Sequence, residues 1–233
     1  MHAILHGKRL IAFDLDGTLV DSVPDLAIAV QKALGELNLP VPEEVQVRDW
    51  VGNGAPMLVE RALAWAVQQP PEANLQARAF QAFMTHYGSA PNALTKLYPG
   101  VKTALEELYC AGFTLALITN KPERFIAPIL EHFGLNAWFS HCIGGDTLVE
   151  KKPSPLPLLY VAEAGGFSPD ECLMVGDSRH DINAGKAAGF ATLALPYGYN
   201  HGEPVELSQP DIVLSSLLEL VRPATAWDRI GLA

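Results

Sequence analysis

Two carboxylates stand two residues apart in Asp14-Leu15-Asp16-Gly17-Thr18-Leu19, directly after the apolar run Leu10–Phe13. A hydroxyl, an amide and a cation follow a second apolar run in Thr119-Asn120-Lys121, and Asp177 and Asp181 stand four residues apart after a third, Leu173-Met174-Val175. Between these two lies Lys151-Lys152-Pro153-Ser154-Pro155, where two prolines fix the backbone beside a lysine pair. Taken singly, each segment has a plain structural reading: an acidic turn, a polar turn, a helix N-cap built from Asp and Ser, a solvated loop. What they share is that polar groups follow the carboxyl ends of apolar runs. Where such runs are parallel strands of one sheet, the groups meet at one edge, which is where open α/β sheets bind ligands. Four carboxylates meeting there repel one another unless a cation sits among them. Oxygen-only ligation points to Mg²⁺, which keeps waters and takes one or two carboxylates plus phosphate oxygens. Asp, a metal, Thr, Asn and Lys together are the parts needed for phosphoryl transfer.

The elements that must position these groups are legible as short apolar runs of strand length at Leu10–Phe13, Phe113–Ile118, Phe139–Ile143, Leu173–Val175, Ala191–Leu195 and Ile212–Leu214. Helical patterns lie between several of them, such as Val101–Ala111 closed by Gly112. The alternation predicts an α/β fold, a mainly parallel sheet. It fails between Ser22 and Asn92, where apolar residues recur at helical spacing: Leu26, Val30, Ala33, Leu34 and Leu37, then Val59, Leu63 and Val67, then Leu75, Ala79, Phe83 and Tyr87. That span is too long for an ordinary connection and reads as an all-helical module inserted after the first strand. The expected organisation is a sheet domain from residues 1–21 and 93–233 and a helical insert from 22–92.

Composition narrows the function classes. The chain has 233 residues, of which 49% are hydrophobic, and its 16 basic and 26 acidic residues leave a net charge of −10. Such a balance disfavours nucleic acid and anionic lipid as partners, because binding a polyanion rests largely on Lys and Arg. Apolar runs all fall short of the roughly 18 residues that span a bilayer, and His6, Lys8 and Arg9 interrupt the amino-terminal apolar residues. Cys110, Cys142 and Cys172 show no zinc or redox spacing and read as buried, inert thiols, so a cytoplasmic location is expected. His180 reads as a surface residue at a helix start, Lys151 as solvent-facing, and Phe80, Phe83 and Tyr87 as core.

In their order, the four polar segments resemble the four motifs of the haloacid dehalogenase superfamily, over Phe13 to about Asp181, and the insert falls where that family carries an alpha-helical cap. The resemblance implies a three-layer Rossmann-like core with a helical cap. Within the family, Trp50-Val51-Gly52-Asn53-Gly54-Ala55, Leu97-Tyr98-Pro99-Gly100-Val101, Gly144-Gly145-Asp146 and Tyr197-Gly198-Tyr199 resemble the bacterial branch that hydrolyses 2-phosphoglycolate.

By that resemblance Asp14 is the nucleophile, Asp16 the general acid and base, and Thr119 and Lys152 hold phosphoryl oxygens, with Asn120 beside them. Asp14, the Asp16 carbonyl and Asp177 would hold Mg²⁺, with Asp181 either a further ligand or the group that fixes Lys152 or a metal-bound water. The Gly52-Asn53-Gly54 loop is expected to touch a small anionic phosphate ester, with Arg48 and Arg61 as candidates for its carboxylate. Two other readings stay open: a phosphatase or phosphomutase for another small phosphate, and a switch module phosphorylated on Asp14.

Overall fold

The computed structural model describes residues 1–222. Among these described residues eight strands and nine helices longer than a single 3-10 turn follow in order: β1 (Leu10–Phe13), β2 (Val20–Asp21), α1 (Val23–Glu36), α2 (Glu44–Trp50), α3 (Ala55–Val67), α4 (Ala73–Ser89), β3 (Lys96–Leu97), α5 (Val101–Cys110), β4 (Thr114–Ile118), α6 (Ile126–Phe133), β5 (Phe139–Ile143), α7 (Leu156–Gly165), β6 (Cys172–Gly176), α8 (Arg179–Ala188), β7 (Ala191–Ala194), β8 (Ile212–Val213) and α9 (Leu218–Val221). Six of the strands form one sheet in the order β5-β4-β1-β6-β7-β8, and every pairing in it is parallel. The expected strands are all present, with ends moved by a residue or so where the hydrogen-bond ladder stops.

Strand β1 shows why the core has three layers. Its residues alternate between faces, as a pleated strand requires. Ile11 and Phe13 join the cluster under α5, α6 and α9, while Leu10 and Ala12 join the one under α7 and α8. Both faces are covered, so the strand is apolar throughout and fully buried. Leu10–Phe13 pairs with Thr114–Leu117 on one side and Cys172–Val175 on the other. From β1 the chain builds outward through β4 and β5, and then through β6, β7 and β8 in the opposite direction, so the reversal lies between β1 and β6.

The insert is helical, as expected. Helices α1 to α4 bury their own apolar cluster, including Leu26, Leu34, Leu63, Phe83 and Tyr87. Phe125 and Tyr199 join it from the sheet side and mark where the two parts meet. The crossings into and out of the insert are held by a pairing too short to read from sequence. Val20 pairs antiparallel with Leu97 and Asp21 with Lys96, so β2 and β3 make a two-stranded ribbon. The buried Asp25 carboxylate in α1 reinforces it, accepting Leu94 N–H and Thr95 N–H as well as the Thr95 hydroxyl at 2.6 Å.

Of the cysteines, Cys172 is buried and Cys142 half-buried, but Cys110 is exposed at the end of α5, contrary to the expectation that all three are internal. Among the described residues no helix is long and apolar enough to cross a membrane.

Candidate active site

The sheet itself places the first motif residues. Asp14 N–H donates to Val175 O (3.0 Å) and Thr119 N–H to Ile143 O (2.9 Å), so the ladder runs one residue past β1 and β4 and delivers both side chains to the carboxyl edge. Asp177 leaves the end of β6, across the point where strand order reverses. Its carboxylate accepts the Thr18 hydroxyl on Oδ1 and Tyr199 N–H on Oδ2, both at 2.6 Å. Glycine makes this approach possible. A Cβ on Gly17, whose φ is +92°, would lie 2.1 Å from Asp177 Oδ2, and one on Gly198 would lie 2.2 Å from the same atom.

Lys152 is buried between two of the acids, with Nζ 2.8 Å from Asp14 Oδ1 and 2.6 Å from Asp181 Oδ1. Burial draws its pKa down, but the two carboxylates outweigh that and hold it above the ordinary lysine value. The second Asp181 oxygen accepts Ser178 N–H (3.0 Å) and the Ser178 hydroxyl (2.7 Å), closing a capping box on α8. The plain reading of this segment as a helix cap holds, and the same carboxylate also reaches Lys152.

Asp16 has a separate partner. Lys121 Nζ lies 2.9 and 3.0 Å from its two oxygens, and the Ser22 hydroxyl donates to Oδ1 at 2.5 Å. Ser22, and the pairing of Lys121 with Asp16, go beyond what the sequence reading assigned. The lysine was visible beside Thr119 and Asn120, but its reach back to the first motif was not.

Oxygens of Asp14, Asp177 and Asp181 lie within 4.8 Å of one another. Burial, more than repulsion between the acids, pushes the Asp14 carboxyl up to about 7 and Asp177 well above the usual range. Asp14 Oδ1 is buried with the Lys152 ammonium beside it at 2.8 Å. An oxygen-rich cluster in this condition suits a hard metal ion, which would return the carboxylates to their charged forms. Of the three, Asp181 has least to offer such an ion: one oxygen serves Lys152 and the other already accepts two hydrogen bonds.

The insert docks on this edge through the carbonyls of its 50–54 loop. Asn120 Nδ2 donates to Gly52 O and to Lys152 O, each at 3.0 Å, and so ties the loop to the lysine segment. Lys151 Nζ donates to Asn53 O at 2.8 Å. It is half-buried rather than solvent-facing, and burial lowers its pKa. Gly54 sits so close that a Cβ there would lie 2.9 Å from Asn120 O.

Arg61 holds the same loop from within the insert, donating to Trp50 O and to Asn53 Oδ1 at 2.7 Å each. Arg48 pairs with Glu44 (3.1 Å) and Asp21 (3.4 Å) and lies over the Tyr199 ring. Neither arginine lines the chamber between insert and sheet, which is bounded by Asp14, Asp16, Thr119, Asn120 and Lys121 below and by Leu26, Val51, Leu58, Phe83 and Tyr87 above. The chamber holds ≈ 40 Å³. Phe83 and Tyr87 are buried, as expected, and also form its wall.

His180 is buried rather than on the surface. It faces His201 at 3.3 Å, and burial pushes its pKa down to about 4. The helix-start position concealed this, because the loop carrying His201 folds back over it.

A parallel sheet with its order reversed at two acids, a buried lysine between acids and a helical insert after the first strand define a class of hydrolase. The haloacid dehalogenase-like hydrolase family model matches residues 11–195, and the chain belongs to that family. Among curated proteins it is 49% identical to the phosphoglycolate phosphatase of Vibrio vulnificus (strain CMCP6) over 215 residues, covering 91% of this chain and 94% of that one. It is 48% identical to the phosphoglycolate phosphatase of Pseudomonas fluorescens (strain Pf0-1), covering 91% and 78%. The crystal structure of a predicted phosphoglycolate phosphatase from Haemophilus somnus 129PT superposes with a TM-score of 0.89 at 40% identity, covering 93% of this chain and 97% of that one.

Proposed function

We propose that this chain hydrolyses 2-phosphoglycolate to glycolate and phosphate in the cytoplasm, with residues 22–92 as the cap over a catalytic core made of the rest. The carrying observation is the bridge Asp14–Lys152–Asp181 beside Asp177, on a chain about half identical to named phosphoglycolate phosphatases. Free cysteines, one of them exposed, suit a reducing compartment.

An Asp14 oxygen attacks phosphorus, the ester P–O bond breaks, and the glycolate alkoxide takes a proton from Asp16. Water then attacks phosphorus, giving its proton to Asp16, and the acyl-phosphate P–O bond breaks to return the Asp14 carboxylate and inorganic phosphate. Splitting one difficult displacement into two easier ones is the gain from covalent catalysis. Lys152 and the Thr119 hydroxyl receive the phosphoryl oxygens. Asp181 holds Lys152 in place, consistent with its 2.6 Å contact. Lys121 and Ser22 orient Asp16 toward the chamber.

Asp14, the Asp16 carbonyl and Asp177 would hold Mg²⁺, which supplies neutralisation of the transferring group's charge. The four acids with Lys121 and Lys152 carry a formal charge of −2, which one divalent cation cancels.

The test is a phosphate-release screen over small phosphate monoesters with saturating Mg²⁺. A kcat/KM for 2-phosphoglycolate well above those for sugar phosphates and nucleotides is expected. Equal rates across the set would overturn the substrate, and no turnover of any ester would overturn the enzyme.

A further inference from the structure

A carboxylate entering the chamber needs a donor, and both arginines that sequence pointed to are engaged elsewhere. Of the described residues lining the chamber, one carries a cation, Lys121. Its ammonium faces Asp16 on one side and the ring of Tyr87 on the other, 4.8 Å from the ring centroid.

Tyr87 supplies the second observation. It projects from α4 of the cap, lines the same chamber and is 1% exposed, and its hydroxyl has no acceptor: the Lys121 ammonium beside it can donate to its oxygen but cannot take its proton. A buried, unpaired hydroxyl carries a desolvation cost, and such groups call for a partner. The surrounding wall of Leu26, Val51, Leu58, Phe83 and Phe125 offers none.

We propose that Lys121 and the Tyr87 hydroxyl together bind the carboxylate of the leaving group, one cation from the core and one O–H from the cap. This rests on the substrate reading above and deepens it. Asp16, which protonates the ester oxygen, is in contact with Lys121. A carboxylate one carbon beyond that oxygen therefore falls beside the same ammonium. Its second oxygen accepts the Tyr87 O–H, so an anionic leaving group satisfies the stranded hydroxyl and a neutral one does not. Sites that hydrogen-bond a substrate group discriminate strongly against analogues lacking it, because their own polar atoms stay unpaired.

The experiment compares kcat/KM for 2-phosphoglycolate and for ethyl phosphate, which lacks the carboxylate, in the wild type, Tyr87→Phe and Lys121→Gln. A wild-type preference for 2-phosphoglycolate is expected to shrink about tenfold in Tyr87→Phe, and by more in Lys121→Gln. Tyr87→Phe removes one oxygen without changing the packing, and thermal unfolding checks that it folds. If it does not, Lys121→Gln alone decides. A preference unmoved in the folded variants overturns this proposal and leaves the substrate reading standing. No preference in the wild type overturns both.

Discussion

At the sheet edge two buried lysines face acids, Lys152 between Asp14 and Asp181 and Lys121 on Asp16, whereas the cap face opposite is built from Leu26, Val51, Ala55, Leu58 and Phe83 around one hydroxyl. The difference follows from what each side must do. Charge concentrated on the sheet is held by strands buried on both faces, whose positions are over-determined by the ladder. The cap contributes shape and exclusion of water, which needs apolar surface more than charge.

Substitutions on the two sides should differ accordingly. On the sheet side Asp14→Asn is expected to reduce Mg²⁺-dependent phosphate release by on the order of 10⁴-fold or more, with the circular dichroism spectrum unchanged. Substantial turnover by that variant would rule out the covalent intermediate. Asp16→Asn should slow the same assay by about 10²–10⁴-fold at neutral pH. At the seam between the two sides Asn120→Ala removes hydrogen bonds to Gly52 O and Lys152 O, and a loss of roughly 5–30-fold in kcat/KM is expected. An unchanged value would show that the cap docks without this tie.

A thermal measurement sharpens the sheet side further. The Asp14 pKa in the folded protein, about 7, lies above its ordinary value of 3.8. Between those values the folded metal-free protein binds more protons than the unfolded chain, so this group's stabilisation is present at low pH and lost as pH rises through about 7. Mg²⁺ competes with those protons. Its stabilising shift in Tm should therefore be larger at pH 8 than at pH 5.5, and the reverse order would count against Asp14 as a ligand. The smallest effect belongs to the cap exterior. Arg48→Ala breaks half-exposed ion pairs outside the chamber and should change kcat/KM for an anionic ester by less than about threefold.

The same contrast explains what could be read from sequence. Strand-end groups such as Asp14, Thr119 and Asp177 are legible because a short apolar run announces each strand and its polar successor announces the edge. The parallel sheet and the helical insert follow from the same runs. Arg48 and Arg61 misled because a cation in the cap looks available until its partners, Asp21, Glu44, Asn53 and the Trp50 carbonyl, fold beside it. Tyr87 was legible as core through its helical spacing, but not as a chamber wall, since periodicity finds the buried face and not what that face encloses. Lys121 and Lys151 needed long-range contacts, to Asp16 and to Asn53, that no local pattern encodes.

The β2–β3 ribbon joins cap to core through two strands laid side by side, with Asp25 fastening the outgoing strand to α1. Two crossings bound edge to edge share one axis, as the leaves of a door do. Such a joint flexes across the ribbon's plane more readily than within it, and it resists twisting. A joint of this kind would guide the Gly52-Asn53-Gly54 loop back to the same partners on the core, Asn120 and Lys151. Ser22, directly after β2, donates to the Asp16 carboxylate at 2.5 Å, so the joint is tied to the first motif itself.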